Sequence, residues 1–190
     1  MSHADKHKIL YPMQHGFRRK LSCETQLLEF TDDITINMDK GSQTDCLIMD
    51  FSKAFDKVSH SLLIHKLRHY GINGKTNTWI NSFLNGRKQR VVVEGEISDC
   101  VPVASGVPQG SVLGPSLFLF YINDIPLGLT STVRLFADDT IVYLAITSDA
   151  DSGKLQQDLD KLARWERTWL IQFHPEKCNV LTITKKCTII

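Results

Sequence analysis

The sequence predicts an α+β fold with an antiparallel sheet, and three observations support this prediction. Helical and strand-like segments follow one another without the regular alternation that is typical of a parallel sheet. Apolar runs flank Glu94-Gly95-Glu96, and others flank Asp138-Asp139, as the strands of β-hairpins do. No repeat or Pro/Ser-rich linker divides the 190 residues, of which 42% are hydrophobic, so we expect one domain with a sizeable core.

Capping residues and apolar periodicity delimit the predicted helices. Ser22 is a suitable N-cap for the first helix and Gly41 a suitable end. In chain order, the helices are predicted from Ser22 to about Lys40, over about 62–70, over about Thr76 to Leu84, from Pro115 onward and over about Ser152 to Leu170. One side of the first helix is predicted to carry Leu27, Leu28, Ile34 and Met38.

Short apolar runs bounded by turn residues predict the strands. The segment Cys46-Leu-Ile-Met-Asp-Phe51, which is apolar except for Asp50, is predicted as a buried strand. The other strands are predicted over 89–93, 97–103, 133–137, 140–146 and 179–184.

Charge is segregated along the chain, although the net charge is only +1. Residues 57–93 contain seven lysines and arginines and no acid, whereas residues 94–160 contain ten acids and two basic residues. The basic segment, which includes Tyr70, Trp79 and Phe83, either follows a nucleic-acid backbone or forms a solvated helix face whose aromatic rings belong to the core. Acids in a nucleic-acid-binding protein indicate a cation between carboxylate and phosphate.

Composition argues against a membrane or secreted protein. The longest apolar run, 117–122, is far shorter than the ~20 residues that cross a membrane. The first residues resemble no secretory leader, so we expect an intracellular protein of the nucleus, the cytoplasm or both. The cysteines are odd in number, widely spaced and without a CxxC pair, which favours reduced thiols; they are Cys23, Cys46, Cys100, Cys178 and Cys187.

Three acids occupy positions that are unusual for a core strand. Asp50 directly follows the apolar residues 47–49 of the predicted strand, and Asp138 and Asp139 lie between two apolar strands. An Asp-Asp pair is also common in ordinary turns. Three acids at strand ends would repel one another unless a divalent cation neutralised them, and oxygen ligands favour Mg²⁺ or Mn²⁺. Two such ions catalyse in-line phosphoryl displacement.

Two further features permit more than one interpretation. Asp56 lies past the predicted strand, where helix capping or a surface position is the default. The loop over 105–111 contains glycines that permit close backbone approach, and Gln109 offers an amide for a base or sugar. A plain structural turn has the same composition.

Three motifs follow one another along the chain: Asp50-Phe-Ser-Lys-Ala-Phe-Asp56, Ser105-Gly-Val-Pro-Gln-Gly-Ser111 and Phe136-Ala-Asp-Asp139. In their order and spacing, the chain resembles the reverse transcriptase domain of non-LTR (LINE-type, jockey-like) retrotransposons. Gln14-His-Gly-Phe-Arg18, Tyr121-Ile-Asn-Asp124 and the segment Trp169 to Lys177 extend the resemblance from Gln14 to about Ile183. The resemblance implies a polymerase palm over about 41–184, a fingers remnant over about 14–40 and no thumb, so that 1–190 is a single partial domain.

The resemblance also implies roles for the acids. Asp50 and Asp138 would bind two Mg²⁺ ions, with Mn²⁺ as an alternative, and Asp139 would be a less direct carboxylate. Phe55 occupies the position of the steric gate, whose ring excludes a 2′-hydroxyl; from the residue alone, a core aromatic is the alternative.

Substrate contacts are implied at four more positions. Gln109 and Gly110 would line the nascent base pair and the template, and Lys177 would protonate pyrophosphate. Arg18 would contact the triphosphate, although a solvated cationic turn is the alternative. His174 stands where the family usually has Asn, which concerns the local loop rather than the metal site.

The function implied by the resemblance is RNA-directed DNA polymerisation, with an RNA template, a DNA primer and dNTPs as partners. The alternative is a truncated, non-catalytic remnant that binds nucleic acid weakly or not at all. A DNA-templated polymerase on a related palm is disfavoured by the Phe-Ala-Asp-Asp and Val-Pro-Gln-Gly sequences together. The sequence indicates no oligomeric state.

Overall fold

The computed structural model describes residues 2–185, which form two compact units. The first unit comprises residues 2–52 and 122–185, and the second comprises residues 53–121. The predicted single domain, with its boundaries near 14–40 and 41–184, stays a prediction. Among the described residues, no helix is long and apolar enough to cross a bilayer. The four cysteines in this part of the chain are free thiols, and Cys187 lies outside it.

The elements follow the predicted order of helices and strands. They are α1 (Ser2–Lys6), α2 (Cys23–Asp39), β1 (Gln43–Met49), α3 (His60–His69), α4 (Gly74–Leu84), β2 (Lys88–Gln89), β3 (Val92–Val93), β4 (Glu96–Ile97), β5 (Val101–Pro102), α5 (Gly114–Ile122), β6 (Thr132–Phe136), β7 (Asp139–Ile146), α6 (Asp149–Trp169), a 3-10 helix (Pro175–Lys177) and β8 (Asn179–Ile183). The short helix α1 and the 3-10 helix are the described helices for which the sequence pattern carried no prediction.

A four-stranded sheet organises the first unit. Its strand order is β6-β7-β1-β8, and every neighbouring pair is antiparallel. Helix α2 contacts β1 and β6, and α6 contacts β7. The predicted α+β class with an antiparallel sheet is therefore confirmed.

Helix α2 begins and ends where its capping residues predict. The Ser22 hydroxyl accepts a hydrogen bond from the Thr25 amide, and the Thr25 hydroxyl accepts one from the Ser22 amide. This reciprocal capping box satisfies two free donors of the first turn. At the other end, Gly41 has φ +72°, a conformation that glycine adopts without steric cost.

The buried side of α2 differs from the predicted one. Leu27 and Leu28 are 53% and 68% exposed, so their predicted place on the inner face is wrong. Ile34 instead packs with Cys46 of β1 and Tyr143 of β7. The inner face follows a four-residue spacing through 26, 30, 34 and 38, and Leu27 lies one residue outside it.

Helices α3 and α4 pack together in the second unit, which also contains the strand pairs β2-β5 and β3-β4. The predicted turn at Glu94-Gly95 is present, with φ +50° and +91°, as a two-residue hairpin turn requires. Trp79 is 57% exposed and stacks on Phe83, with ring centroids 5.8 Å apart. Trp79 is therefore no core aromatic, contrary to one of the two predicted alternatives.

Candidate active site

Strand register brings the three predicted acids to one edge of the sheet. Met49, the last residue of β1, pairs with Thr140 of β7. Asp50 directly follows Met49, and Asp139 directly precedes Thr140, so both acids lie at the same edge. Asp138 lies beside them in the turn between β6 and β7. The predicted grouping of the acids is thus a consequence of pairing between residues about ninety positions apart in the chain.

Lys177 reaches this edge from β8. That strand begins with Asn179, opposite Ile48 of β1, and the 3-10 helix that carries Lys177 directly precedes it. Lys177 Nζ donates a hydrogen bond to Asp50 Oδ2 at 2.7 Å. The His174 amide donates to the Asp50 carbonyl at 2.7 Å. The segment 174–177 is therefore bonded to Asp50 at both of its ends.

The charged groups at this edge alter one another's ionisation. Burial raises the pKa of Asp139, and the charges of Asp138 and Asp50 raise that pKa further. The hydrogen bond to Asp50 and the charge of Asp50 raise the pKa of Lys177, and Asp138 adds to this effect. Among the described residues, one ammonium group, that of Lys177, is bonded at this edge, and it contacts Asp50. The three carboxylates outnumber it, which leaves an excess of negative charge.

The donor types at this edge fit a hard divalent cation. All three are carboxylates, and Mg²⁺ and Mn²⁺ prefer oxygen ligands. A cation would also relieve the repulsion that raises the pKa of Asp139. Within residues 2–185, however, no three His, Cys, Asp or Glu side chains converge as the ligands of one ion. Metal binding by Asp50, Asp138 and Asp139 therefore stays a prediction that the residue types support.

In the second unit, the Gly- and Pro-rich loop is fixed to the segment that carries Phe55. The Gly106 amide donates to the Val58 carbonyl and the Val107 amide donates to the Phe55 carbonyl, both at 2.8 Å. Gly106 has φ +87°, and a Cβ there would lie 2.8 Å from the Asp56 carbonyl oxygen. Only glycine permits this approach together with this backbone conformation.

Phe55 is held by a second ring. It stacks on Phe118 of α5 with centroids 4.5 Å apart and planes 20° apart, and it is half-buried. A stacked ring loses rotational freedom, and a steric gate needs such a fixed ring. The gate role of Phe55 stays a prediction.

Asp56 orients the amide of Gln109. Gln109 Nε2 donates to Asp56 Oδ1 at 3.2 Å, and the Ser105 hydroxyl donates to the Asp56 carbonyl at 2.8 Å. Asp56 is exposed, as one alternative predicted, but it does not cap α3, because Ser59 occupies the N-cap position. Gly110, next to Gln109, has φ +75° and open space around its Cα.

Two basic residues that the sequence interpretation missed bind the same carbonyl. His60 Nε2 contacts the Gly106 carbonyl oxygen at 2.8 Å, and Arg87 Nη2 donates to it at 3.1 Å. His60 is 6% exposed. A single histidine has no spacing pattern that would reveal such a role, and Arg87 is one of seven basic residues in the segment 57–93, which does not single it out.

A cavity of about 640 Å³ lies beside this loop in the second unit. Its lining includes two cations, one acid and two amides: Lys53, Arg87, Asp56, Gln89 and Gln109. Cations and amides together suit a ligand with both phosphates and bases.

Arg18 contacts the N-terminal segment. Its Nη1 donates to the Tyr11 carbonyl at 3.1 Å, and its Nη2 lies 3.9 Å from Asp5 Oδ1. The side chain is 20% exposed, so it is no freely solvated cation. Its predicted contact with a triphosphate is untested.

Two solved structures with a similar fold are telomerases. The chain matches apo telomerase from Candida tropicalis, truncated from its C-terminal domain, with a TM-score of 0.66 over 98% of this chain and 40% of the other, at 12% identity. It matches telomerase from the same organism, in complex with a telomeric RNA fragment, with a TM-score of 0.62 over 86% of this chain and 29% of the other, also at 12% identity. The fold is that of a polymerase palm.

Sequence comparison identifies the family. The family described as reverse transcriptase (RNA-dependent DNA polymerase) matches residues 2–190. In Drosophila melanogaster, the RNA-directed DNA polymerase from mobile element jockey is 31% identical over 96% of this chain, and the probable polymerase from transposon X-element is 32% identical over 91%. The chain belongs to the reverse transcriptase family, and its relatives are non-LTR retrotransposon polymerases, as the motifs predicted. It covers 21% and 20% of those two relatives.

Proposed function

We propose that this chain is the catalytic palm of an RNA-directed DNA polymerase, which joins dNTPs to a DNA primer on an RNA template. The observation that supports this most is the strand register that places Asp50 beside Asp138 and Asp139 at one sheet edge. We further propose that it acts in the nucleus, the cytoplasm or both, without membrane contact.

The acids would supply the metal ligands. Asp50 and Asp138 would hold two Mg²⁺ ions, or Mn²⁺, and Asp139 would contribute a less direct carboxylate. When bound, the ions lower the pKa of the primer 3′-hydroxyl and offset charge on the leaving pyrophosphate.

Lys177 would deliver a proton to the pyrophosphate. The hydrogen bond to Asp50 raises the pKa of Lys177, so Nζ carries its proton at neutral pH. The side chain is 61% exposed, and the ammonium group can therefore move from Asp50 to a phosphate oxygen without a desolvation cost.

Nucleotide selection would depend on the second unit. The ring of Phe55, fixed against Phe118, would exclude a 2′-hydroxyl. Gln109, oriented by Asp56, would contact the nascent base pair, with Gly110 next to the template. Arg18, which belongs to the first unit, would contact the triphosphate.

A primer-extension assay on the 190-residue chain tests this proposal. We expect Asp138→Asn to abolish extension on an RNA template while the circular dichroism spectrum is unchanged. Asp160→Asn, which removes an exposed acid on α6, is the matched control and should extend normally. Equal extension by Asp138→Asn would refute the proposal. Salt-dependent duplex binding by the wild-type chain without extension would favour the non-catalytic alternative.

The gate is tested by sugar selectivity. Phe55→Val removes the ring, so incorporation of ribonucleotides relative to deoxynucleotides should rise by about tenfold or more. Phe83→Val, at another aromatic of the second unit, should leave the ratio unchanged. An unaltered ratio in Phe55→Val would remove Phe55 as the gate.

A further inference from the structure

The segment before Gly16 runs alongside β6, the strand that leads into the two adjacent acids. Gln14 forms a parallel bridge with Leu135. The His15 amide donates to the Leu135 carbonyl at 2.9 Å, and the Leu135 amide donates to the Met13 carbonyl at 3.0 Å. This pairing brings the side chain of Gln14 to the end of β6.

The Gln14 side chain binds both backbone groups of Ala137. Gln14 Oε1 accepts from the Ala137 amide at 2.9 Å and from the Gly16 amide at 2.7 Å. Gln14 Nε2 donates to the Ala137 carbonyl at 3.2 Å. Gln14 is 2% exposed, so these are buried hydrogen bonds that no water replaces at low cost.

Ala137 directly precedes Asp138 and has a backbone conformation that alanine disfavours. Its φ is +55°, in the left-handed region where the Cβ is crowded. The surrounding structure must therefore hold it there. The two hydrogen bonds from the Gln14 side chain to Ala137 supply that restraint, because they fix the peptide groups on both sides of the Ala137 Cα.

Gly16 leaves the space that this arrangement needs. A Cβ at Gly16 would lie 2.1 Å from the Ala137 nitrogen and 2.8 Å from its Cα. No side chain fits at that distance. Gly16 is thus required by the close approach of two backbones.

We infer that Gln14 is a positioning residue for the acidic pair: it holds Ala137 in the left-handed conformation and thereby sets the direction in which Asp138 and Asp139 point. The inference rests on the proposed function, since it assigns Gln14 to the metal-binding step. Gly16 leaves room for the Ala137 backbone, and Asp138 and Asp139 would supply the metal-binding carboxylates.

Binding of Mn²⁺ alone, followed by electron paramagnetic resonance, tests the inference on the full chain. Gln14→Leu should weaken Mn²⁺ binding by about tenfold or more, as expected for a residue that orients metal ligands. Gln26→Leu is the matched control: Gln26 is 6% exposed on α2, and its Oε1 has no hydrogen-bond partner among the described residues. That control should bind Mn²⁺ as the wild type does.

A second substitution separates positioning from simple packing. Glycine adopts the left-handed conformation without restraint, so Ala137→Gly added to Gln14→Leu should recover most of the lost affinity. A packing defect at Gln14 would not be recovered by a backbone change at 137. Amide exchange at Ala137 should also accelerate in Gln14→Leu. If Gln14→Leu does not fold, Gln14→Glu retains both acceptor contacts, loses the donor and should give a smaller reduction.

The outcomes separate this inference from the proposed function. Unchanged Mn²⁺ affinity in a folded Gln14→Leu or Gln14→Glu, or no recovery by Ala137→Gly, would overturn the positioning role alone. A wild-type chain that binds no Mn²⁺, or binds it equally well as Asp138→Asn, would overturn the proposed metal site and this inference with it.

Discussion

Strand β6 contains one charged cluster and ends at another, and the two differ in how their charge is balanced. Within the strand, Arg134 is 4% exposed and donates hydrogen bonds to Glu29 and Asp33 of α2 and to Tyr143 of β7. Tyr143 also donates to Asp33. Every charge in this cluster has an opposite charge from the same chain beside it.

At the end of the strand, the balance is different. Among the described residues, the ammonium group of Lys177 forms an ion pair with Asp50, whereas none is found at Asp138 or Asp139. The pKa of Asp139 is raised by burial and by the charges of Asp138 and Asp50. Charge that the protein neutralises itself contributes to stability, whereas charge left in excess is available to an external cation or substrate. Removing a charge should therefore lower the free energy of unfolding at the Arg134 cluster and raise it at the edge that carries Asp50, Asp138 and Asp139.

The largest expected effect is at the balanced cluster. Asp33→Leu leaves the buried Arg134 guanidinium with one carboxylate fewer, so we expect the free energy of unfolding to fall by about 3 kcal/mol. Urea denaturation monitored by circular dichroism measures this.

Arg134→Met is the informative companion, because Glu29 and Asp33 are 51% and 37% exposed and can turn to water. Arg134→Met should lower the free energy of unfolding by less than Asp33→Leu does. The variant with both substitutions should be more stable than Asp33→Leu alone. A larger cost for Arg134→Met would contradict this account of the cluster.

An intermediate effect is expected at Asp158, another acid that is neutralised within the chain. Its Oδ2 accepts four hydrogen bonds at 2.8–2.9 Å from the amides and hydroxyls of Thr130 and Ser131, and Lys161 donates to Oδ1. Asp158→Asn should lower the free energy of unfolding by about 2 kcal/mol at pH 7. Thermal unfolding measures the change.

The pH dependence of this difference follows from the pKa of Asp158. Burial raises that pKa, but the hydrogen bonds from Lys161, Ser131 and Thr130 outweigh burial and hold it well below its usual range. The pKa of Asp158 in the unfolded chain is about 4, and the stabilisation is complete above that pH. It is lost as the pH falls towards the lower pKa that Asp158 has in the folded chain. Wild type and Asp158→Asn should converge in acid; a constant difference would contradict the proposed charge effect.

The smallest effect, of opposite sign, is expected at the acidic edge. Asp139→Asn removes one of three like charges, so the free energy of unfolding should rise by about 0.5 kcal/mol. The gain should shrink as salt is added, because the repulsion is screened. A loss of stability at low salt would show that other groups of the protein neutralise the charge of Asp139.

Several features were predictable because they depend on a few neighbouring residues. Ser22 and Gly41 delimit α2 through hydrogen bonds and backbone preference within one helical turn. Glu94 and Gly95 determine a hairpin turn in the same way. The motifs around Asp50 and Asp138 predicted the family through their order in the chain.

Other features were not predictable from those local patterns. Which side of α2 faces the sheet was predicted wrongly at Leu27 and Leu28, since apolar residues occur on more than one side of that helix. The contact between Asp56 and Gln109 joins residues 53 positions apart, and no spacing rule connects them.

Local preference and motif order were therefore enough to predict most helices and strands, the cap and turn residues, and the family. The placement of β1 between β7 and β8 depends on the whole fold, and it brings Asp50 to Asp139 on one side and to Lys177, 127 residues away, on the other. The whole fold likewise brings Gln14 to Ala137 across 123 residues. Pairing over such distances depends on which strand edges and side chains the whole fold brings together, and no local preference specifies that.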